Sequence, residues 1–482
     1  MMPQDMEPAG VRPDPSAQAA LLAAARNDDR AGIDSALAAG ADPRADDSRS
    51  LREAAAEGAL NAVRRLLEHG ADPAARDHEA FRRAAAGGHL GVQADLHEAG
   101  HQPDLLDMEA RAMLAEMQAE LADAAAIYRP SRFWEQFGAA NAAWLGWAGL
   151  ENFKRTINQN YFNFVIRGFR DPRIRRSLAL WRRTGWRRAG LAAPLRTRLA
   201  NPDDDPGLWF SRDPRYRIFP GRSRASRWLK RQLYRLMVGA QFAYAERRDR
   251  DGWLRDMEEP ALGNPIPLSR DGRRISQDLA NSALSAAGVM EALAEAGCTA
   301  SGNAGPSGPR PTVAELGAGY GRLGWLLLAK RRVRYIVFDI PPALLVAQWY
   351  LATLYPDLKL FRFRRFQRFE EVADELAQAD IAFFTANQLE LWPDGAIDAF
   401  VSISALHEMT RPQIAHFLAL FDRKTAHAVH LLVKRVYRNP IDGLVVERDA
   451  YAMPAGWRLW REVDDPLNPG FFTLSFLREG VR

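Results

Sequence analysis

Apolar positions in the first hundred residues fall in blocks that repeat every 30 residues. Ala54-Ala55-Ala56-Glu57-Gly58 is echoed by Ala84-Ala85-Ala86-Gly87-Gly88, and Gly40-Ala41-Asp42-Pro43, Gly70-Ala71-Asp72-Pro73 and Gly100-His101-Gln102-Pro103 recur at the same offset. An Ala-rich block, a Leu-rich block such as Val63-Arg64-Arg65-Leu66-Leu67 and a Gly-Ala-Asp-Pro bend predict helix, turn, helix, loop, three times over. Residues 1–16 lack such periodicity and read as a loose tail. From about Asp107 to Glu258 the pattern is also helical. Met113, Met117, Leu121 and Ala125 recur every four residues, Trp134, Phe137, Asn141, Trp144 and Leu145 continue the period, and six prolines cut the stretch into short elements. The tract Cys298 to Pro311 is rich in Gly, Ser and Pro and reads as an exposed connection.

The pattern changes at Thr312. Strands are predicted at Thr312–Leu316, Arg334–Phe338, Ile381–Thr385, Ile397–Ile403, Val429–Val436 and Phe471–Leu477. Helices are predicted near Arg322–Lys330, Ala343–Leu354, Phe369–Ala377 and Arg411–Leu420. Strand-helix alternation implies an α/β fold with a parallel sheet covered on both faces. The turn-rich run Asp464 to Gly470 separates Trp457–Val463 from the last strand, as in a closing antiparallel hairpin.

A chain of 482 residues with 47% hydrophobic and 26% charged residues is expected to form several soluble domains. No secretory leader and no run of about 18 apolar residues is apparent, so a cytoplasmic protein is expected. The lone Cys298 rules out an intramolecular disulfide and a Cys-clustered zinc site, and reads as a structural thiol. The net charge of +5 conceals an Arg-rich tract between about Arg167 and Arg250, expected to meet an anionic surface or group.

The chemistry concentrates at Val313-Ala314-Glu315-Leu316-Gly317-Ala318-Gly319-Tyr320-Gly321-Arg322-Leu323-Gly324. There an apolar strand enters a glycine-rich turn that opens a helix, letting backbone amides approach a ligand. Glu315 at the strand end suits an ammonium group, and Asp339, ending the next strand, suits two ribose hydroxyls. Spacing alone also satisfies the dinucleotide fingerprint. Glu315 just before the glycines and the closing hairpin favour S-adenosylmethionine. After the fourth of these strands, His407 and Glu408 reach the carboxyl edge, where a neutral imidazole can take a hydroxyl proton and a carboxylate can orient it. No carboxylate cluster beside His407 calls for a metal, although Asp398 and Glu408 leave magnesium open.

Two resemblances follow. The 30-residue units resemble ankyrin repeats, though shorter and without the Thr-Pro-Leu-His signature, which implies a protein-binding array. The runs ELGAGYGRLG (315–324), YIVFDIPPALLVAQWYLATLYP (335–356), FFTANQLEL (383–391) and SISALHEM (402–409) resemble a bacterial family of sugar O-methyltransferases. So do FWEQFGAANAAWLGWAGLENFKRTINQNYF (133–162) and GNPIPLSRDGRRISQDLANS (263–282).

The methyltransferase likeness covers about Ser131 to Arg482 and leaves the repeats outside it; with the periodicity it gives four parts: a tail (1–16), ankyrin-like repeats (17–107), a helical substrate or lid domain (108–260) and a Rossmann-like class I methyltransferase domain (261–482). The methyltransferase likeness implies that Glu315, Gly317, Gly319, Gly321, Asp339, Asn387, Gln388 and Gln277 hold the cofactor, with Asp278 and Asn281 close by. Lys154, Arg155, Asn158, Asn160 and Tyr161 would hold a saccharide, free or nucleotide- or lipid-linked. An RNA methyltransferase using the Arg-rich tract, and an inactive ankyrin-type adaptor, are the alternatives.

Overall fold

The computed structural model describes residues 14–99, 104–155, 170–185, 196–199, 224–298, 310–330, 333–439, 441 and 443–480. The chain divides into two compact units: residues 1–105 with 146–151 and 203–217, and residues 106–145, 152–202 and 218–482.

The first unit is three helix pairs in strict register: α1 (Pro15–Arg26) with α2 (Arg30–Ala38), α3 (Ala45–Ala56) with α4 (Leu60–Glu68), and α5 (Ala75–Ala86) with α6 (Leu90–Glu98). Equivalent positions carry Leu21, Leu51 and Phe81, all fully buried. Ala24, Ala54 and Ala84 are buried beside them, so little side-chain bulk separates neighbouring helices. Gly58 and Gly88 reverse the chain at φ 71 and 69, where L side chains are strained. Asp28 takes the same place at φ 53, and its carboxylate accepts from the Ala62 amide and the Asn61 side chain, both at 2.8 Å. Ion pairs tie each unit to the next, with Glu53 between Arg26 (2.8 Å) and Arg83 (3.0 Å), and Arg52 on Glu79 at 2.7 Å. The first helix starts at Pro15, capped by Asp14, inside the segment expected as tail; residues 1–13 and the third bend, 100–103, lie outside the described residues.

The second unit begins with helices α7 (Met108–Asp123), α8 (Arg132–Ala148), α9 (Pro172–Gly185), α10 (Arg224–Glu246) and α11 (Trp253–Asp256). Strands β1 (Thr197–Leu199), β2 (Leu268–Arg270) and β3 (Arg273–Arg274) form a small antiparallel sheet, with Asp271-Gly272 turning β2 into β3 at φ 51 and 81. Helix α12 (Gln277–Glu295) then leads to the main sheet.

That sheet alternates β4 (Thr312–Leu316), α13 (Arg322–Ala329), β5 (Arg334–Asp339), α14 (Ala343–Leu354), β6 (Leu360–Phe361), α15 (Ala373–Gln378), β7 (Ile381–Thr385), β8 (Ile397–Ile403), α16 (Arg411–Lys424) and β9 (Thr425–Lys434). A side hairpin, β10 (Val436–Arg438) with β11 (Val445–Glu447), precedes β12 (Trp457–Asp464) and β13 (Phe471–Arg478). The order is β12-β13-β9-β8-β4-β5-β7-β6, parallel except at β13, which runs antiparallel to both β9 and β12. Chain order reverses between β4 and β8, and in open α/β sheets ligands sit at the carboxyl ends beside such a switch. Fully buried strands account for the near-continuous apolar runs, and Phe384 lies at the core, 5.4 Å from Phe338 and 5.3 Å from Phe361.

Two expectations are corrected. The strand expected at Val429–Val436 starts at Thr425, because Thr425–Ala428 lacks an apolar run to announce it, and ends before β10. The helix expected at Phe369–Ala377 splits into a 3-10 turn and α15. Most of the helical segment and the sheet fall within one compact unit. Among the described residues no helix is long and apolar enough to cross a membrane.

Candidate active site

The glycine-rich turn is built by exclusion of side chains. Gly317 stands at φ 76 and donates its amide to the Phe338 carbonyl at 2.8 Å, joining the ends of β4 and β5. A Cβ there would run into the Ala405 methyl at the end of β8. At Gly321 (φ 81) a Cβ would press on Leu351 of α14, whereas at Gly319 (φ 59) it would meet nothing within 4 Å. Gly324 clears room for the Tyr335 ring, whose hydroxyl donates to Glu315. Two glycines therefore close the turn against its neighbours, one leaves open space above it, and one admits the tyrosine that holds the acid.

Buried carboxylates surround this turn. Glu315 and Asp339 are 2% and 7% exposed, and burial pushes each up to about 7, against the pull of Tyr335 and Arg322 on Glu315. Asp339 accepts from the Gly319 amide (2.8 Å) and the Ile340 amide (2.7 Å), which temper its rise. Asp278, at the start of α12, accepts from the Tyr320 hydroxyl at 2.8 Å, and burial pushes it up to about 6. Arg322 is the cation among them, itself lowered by burial.

Gln277 opens α12, fully buried, and neither atom of its side-chain amide has a hydrogen-bond partner among the described residues. An unpaired buried amide costs about 1–3 kcal/mol. Asn281 donates to the Gln277 carbonyl (2.8 Å) and accepts from Asn468 (2.6 Å), so it braces the helix.

At the end of β8, Ser404 adopts φ 65, uncommon for a residue with a Cβ, and its buried hydroxyl has no partner among the described residues. His407 is 1% exposed, its ring edge-on to Tyr437 (5.0 Å between centroids) and Phe471 (5.5 Å). Its Nδ1 lacks a partner among the described residues. Burial, with Lys434 close by, holds the imidazole well below its ordinary value, so it is neutral at pH 7. The nearest His407–Glu408 approach is 3.9 Å, too long for the orienting hydrogen bond expected of the pair. Helix α8 crosses this edge: the Ser131 hydroxyl just before it donates to the Glu408 carbonyl (3.4 Å), and a Cβ on Gly138 would lie 3.9 Å from the Pro341 carbonyl.

Other expected residues are engaged elsewhere. Gln388 accepts from Thr385 and donates to the Arg364 carbonyl, so its amide shapes the turn after β7. Asn387 donates to Glu120 at 2.7 Å and keeps an unpartnered buried Oδ1. Lys154 is 2% exposed, ion-paired with Glu259 and bonded to the Tyr350 hydroxyl at 3.1 Å. Glu259 also accepts from Ser276, the cap of α12. Arg155 donates to the carbonyls of Asn264 and Pro265. Asn158, Asn160 and Tyr161 lie outside the described residues. Asp398 and Glu408, weighed together for magnesium, stand at opposite ends of β8. Within the Arg-rich tract, Arg173 pairs with Asp171 and Arg176 donates to the Pro466 carbonyl.

Tyr320, Arg322, Tyr335 and Ser404 were not legible as site residues. Arg322 and Tyr320 lie inside the glycine motif, which was the only available signal; Ser404 had none.

No family model matches the chain, and no curated protein does. Solved structures similar to it include magnesium protoporphyrin IX methyltransferase (ChlM) from Synechocystis PCC 6803 with bound SAH, at 14% identity over 49% of this chain and 97% of that one, TM-score 0.27. Others are the mitomycin 7-O-methyltransferase MmcR, at 15% identity over 42% and 57%, TM-score 0.25, and the PH0226 protein from Pyrococcus horikoshii OT3, at 10% over 36% and 83%, TM-score 0.26. These likenesses are slight, and the chemistry rests on the residues.

Proposed function

We propose that the second unit is an S-adenosylmethionine-dependent O-methyltransferase acting on a saccharide hydroxyl. The observation that carries the cofactor is the convergence of Glu315, Asp339 and Asp278, all buried, on one turn, where Arg322 is the nearest buried cation among the described residues and Lys154 beside it is paired with Glu259. Such a cradle repels the pyrophosphate of a dinucleotide and attracts a ligand bearing ammonium and sulfonium charge. The open space over Gly319 and the unpaired Gln277 amide fit a bound polar molecule. In this reading Glu315 and Gln277 face the amino acid portion, Asp339 the ribose hydroxyls and Asn387 Oδ1 the adenine. When bound, the cofactor supplies an electrophilic methyl group.

The chain supplies position and proton removal. His407, neutral and with Nδ1 unpaired, accepts the substrate hydroxyl proton, while Tyr437 and Phe471 keep water from it. Lys154 is assigned to holding Glu259, and through it the cap of α12, rather than to touching substrate. Among the described side chains of α8, Trp134 and Phe137 are the half-buried rings that suit a pyranose face. The first unit is read as an ankyrin-like array for a protein partner. The test pairs calorimetric titration with S-adenosylmethionine against turnover on fractionated glycan pools. His407→Ala should keep cofactor affinity and lose about 10²–10⁴ in rate; retained turnover removes His407 from the role, and absent cofactor binding overturns the whole reading.

A further inference from the structure

At the opposite edge of the sheet, Cys298, Asp398 and His427 each offer one ligand atom, and the three atoms lie within 4.8 Å of one another. They come from separate elements: Cys298 follows α12 past Gly297 at φ 74, Asp398 is the second residue of β8, and His427 the third of β9. A bulge brings two of them together. Pairing runs Ile397 with Thr425 and then Ala399 with Ala428, so Asp398 faces both Ala426 and His427, and a bulge of this kind re-aims a side chain.

The Asp398 carboxylate is already fixed, because its Oδ2 accepts from the Thr312 amide at 2.7 Å. Its Oδ1 lies 3.6 Å from His427 Nε2, outside hydrogen-bond range but close to the spacing of two ligands on one ion. Among the described residues His427 Nδ1 has no hydrogen-bond partner. Metal-ligand bonds of about 2.0–2.3 Å in a tetrahedron separate donors by roughly 3.3–3.8 Å, so the trio must tighten by about 1.5 Å at most. One thiolate, one imidazole and one carboxylate form a mixed soft and borderline donor set, which suits zinc and excludes the all-oxygen preference of magnesium or calcium.

We propose that Cys298, Asp398 and His427 bind one zinc ion, with a fourth position open to water. The ion fastens the end of α12 to the start of β8 and β9. This differs from the Cys-clustered site that a single cysteine excludes, since only one ligand is sulfur. The cofactor cradle plays no part in the inference.

The test uses the full-length chain, stripped with a chelator and titrated with zinc and, separately, with cobalt. One zinc per chain is expected, together with a thiolate-to-cobalt charge-transfer band. Cys298→Ala should abolish the band, and both Cys298→Ala and His427→Gln should weaken zinc at least tenfold while leaving far-ultraviolet circular dichroism unchanged. Zinc binding of equal strength in parent and both variants, or no cobalt-thiolate band in the parent, would overturn the site. If a variant misfolds, the parent's band and stoichiometry still decide the question.

Discussion

Glu53 in the helical repeats and Glu315 beneath the glycine-rich turn are the same side chain put to opposite use. Glu53 lies between Arg26 and Arg83, and the hydrogen bond from Arg26 leads in holding its carboxyl below the usual range. Glu315 lies in a buried acidic group, and burial pushes it up to about 7. In the repeats Glu53 is neutralised by arginines of the repeats on either side, so the ion pairs serve the stack. In the cradle, buried carboxylates crowd together, and burial favours their protonated forms.

The two arrangements respond to pH with opposite sign. Glu53, lowered on folding, contributes stability above its unfolded value near 4.5 and loses it as pH falls through the folded value. Glu315 and Asp339, raised above 4.5 and 3.8, favour the ligand-free fold at low pH and lose that contribution as pH rises through about 7.

Four measurements sharpen or break this contrast. Gly317→Ala should be the most damaging, at about 2–5 kcal/mol by urea unfolding, because left-handed strain adds to a clash with Ala405. Gly40→Ala, at φ 95 with nothing within 4 Å, should cost only the strain, about 1–2 kcal/mol; equal losses would deny the cradle its tight closure. Next, affinity for S-adenosylmethionine should fall below pH 7 by about tenfold per pH unit for each carboxylate that must ionise, about 1.4 kcal/mol each. A flat calorimetric profile from pH 8 to 5.5 would contradict the cationic-ligand cradle. Gln277→Ala should weaken the cofactor by about 1 kcal/mol and leave the ligand-free protein no less stable, since the amide it removes is unpaired. A clear loss of ligand-free stability would count against this. Smallest of all, Glu53→Gln should cost about 0.2–1 kcal/mol, diminishing with salt.

Sequence periodicity carried most of the fold. The 30-residue repeat placed all six helices, and alternation after Thr312 placed five strands of the main sheet and the closing hairpin. The small sheet of β1–β3 was not anticipated, although Asp271-Gly272 is a hairpin signal in its own right. β6 is two residues long, too short for any pattern to mark. The glycine-rich turn was legible because positive φ favours glycine at fixed spacing, and the strands before it place Glu315 and Asp339 near the ends of β4 and β5 as expected. The partners of Lys154 and Gln388 were not legible, because a polar side chain in a promising segment says nothing about its partner: Glu259 lies 105 residues from Lys154, and Arg364 lies 24 from Gln388. Pairings of that range follow from the fold and leave no local trace.

The ion pairs between α3 and α5 bear on how the chain can change length. Arg52 reaches forward to Glu79 and Arg83 reaches back to Glu53, yet the positions 30 residues before Glu79 and Arg83 are Arg49 and Glu53. A tandem copy of residues 45–74 would set Arg52 against Arg49 and Glu53 against Glu53, so the stack cannot gain a cassette at this joint without new charges.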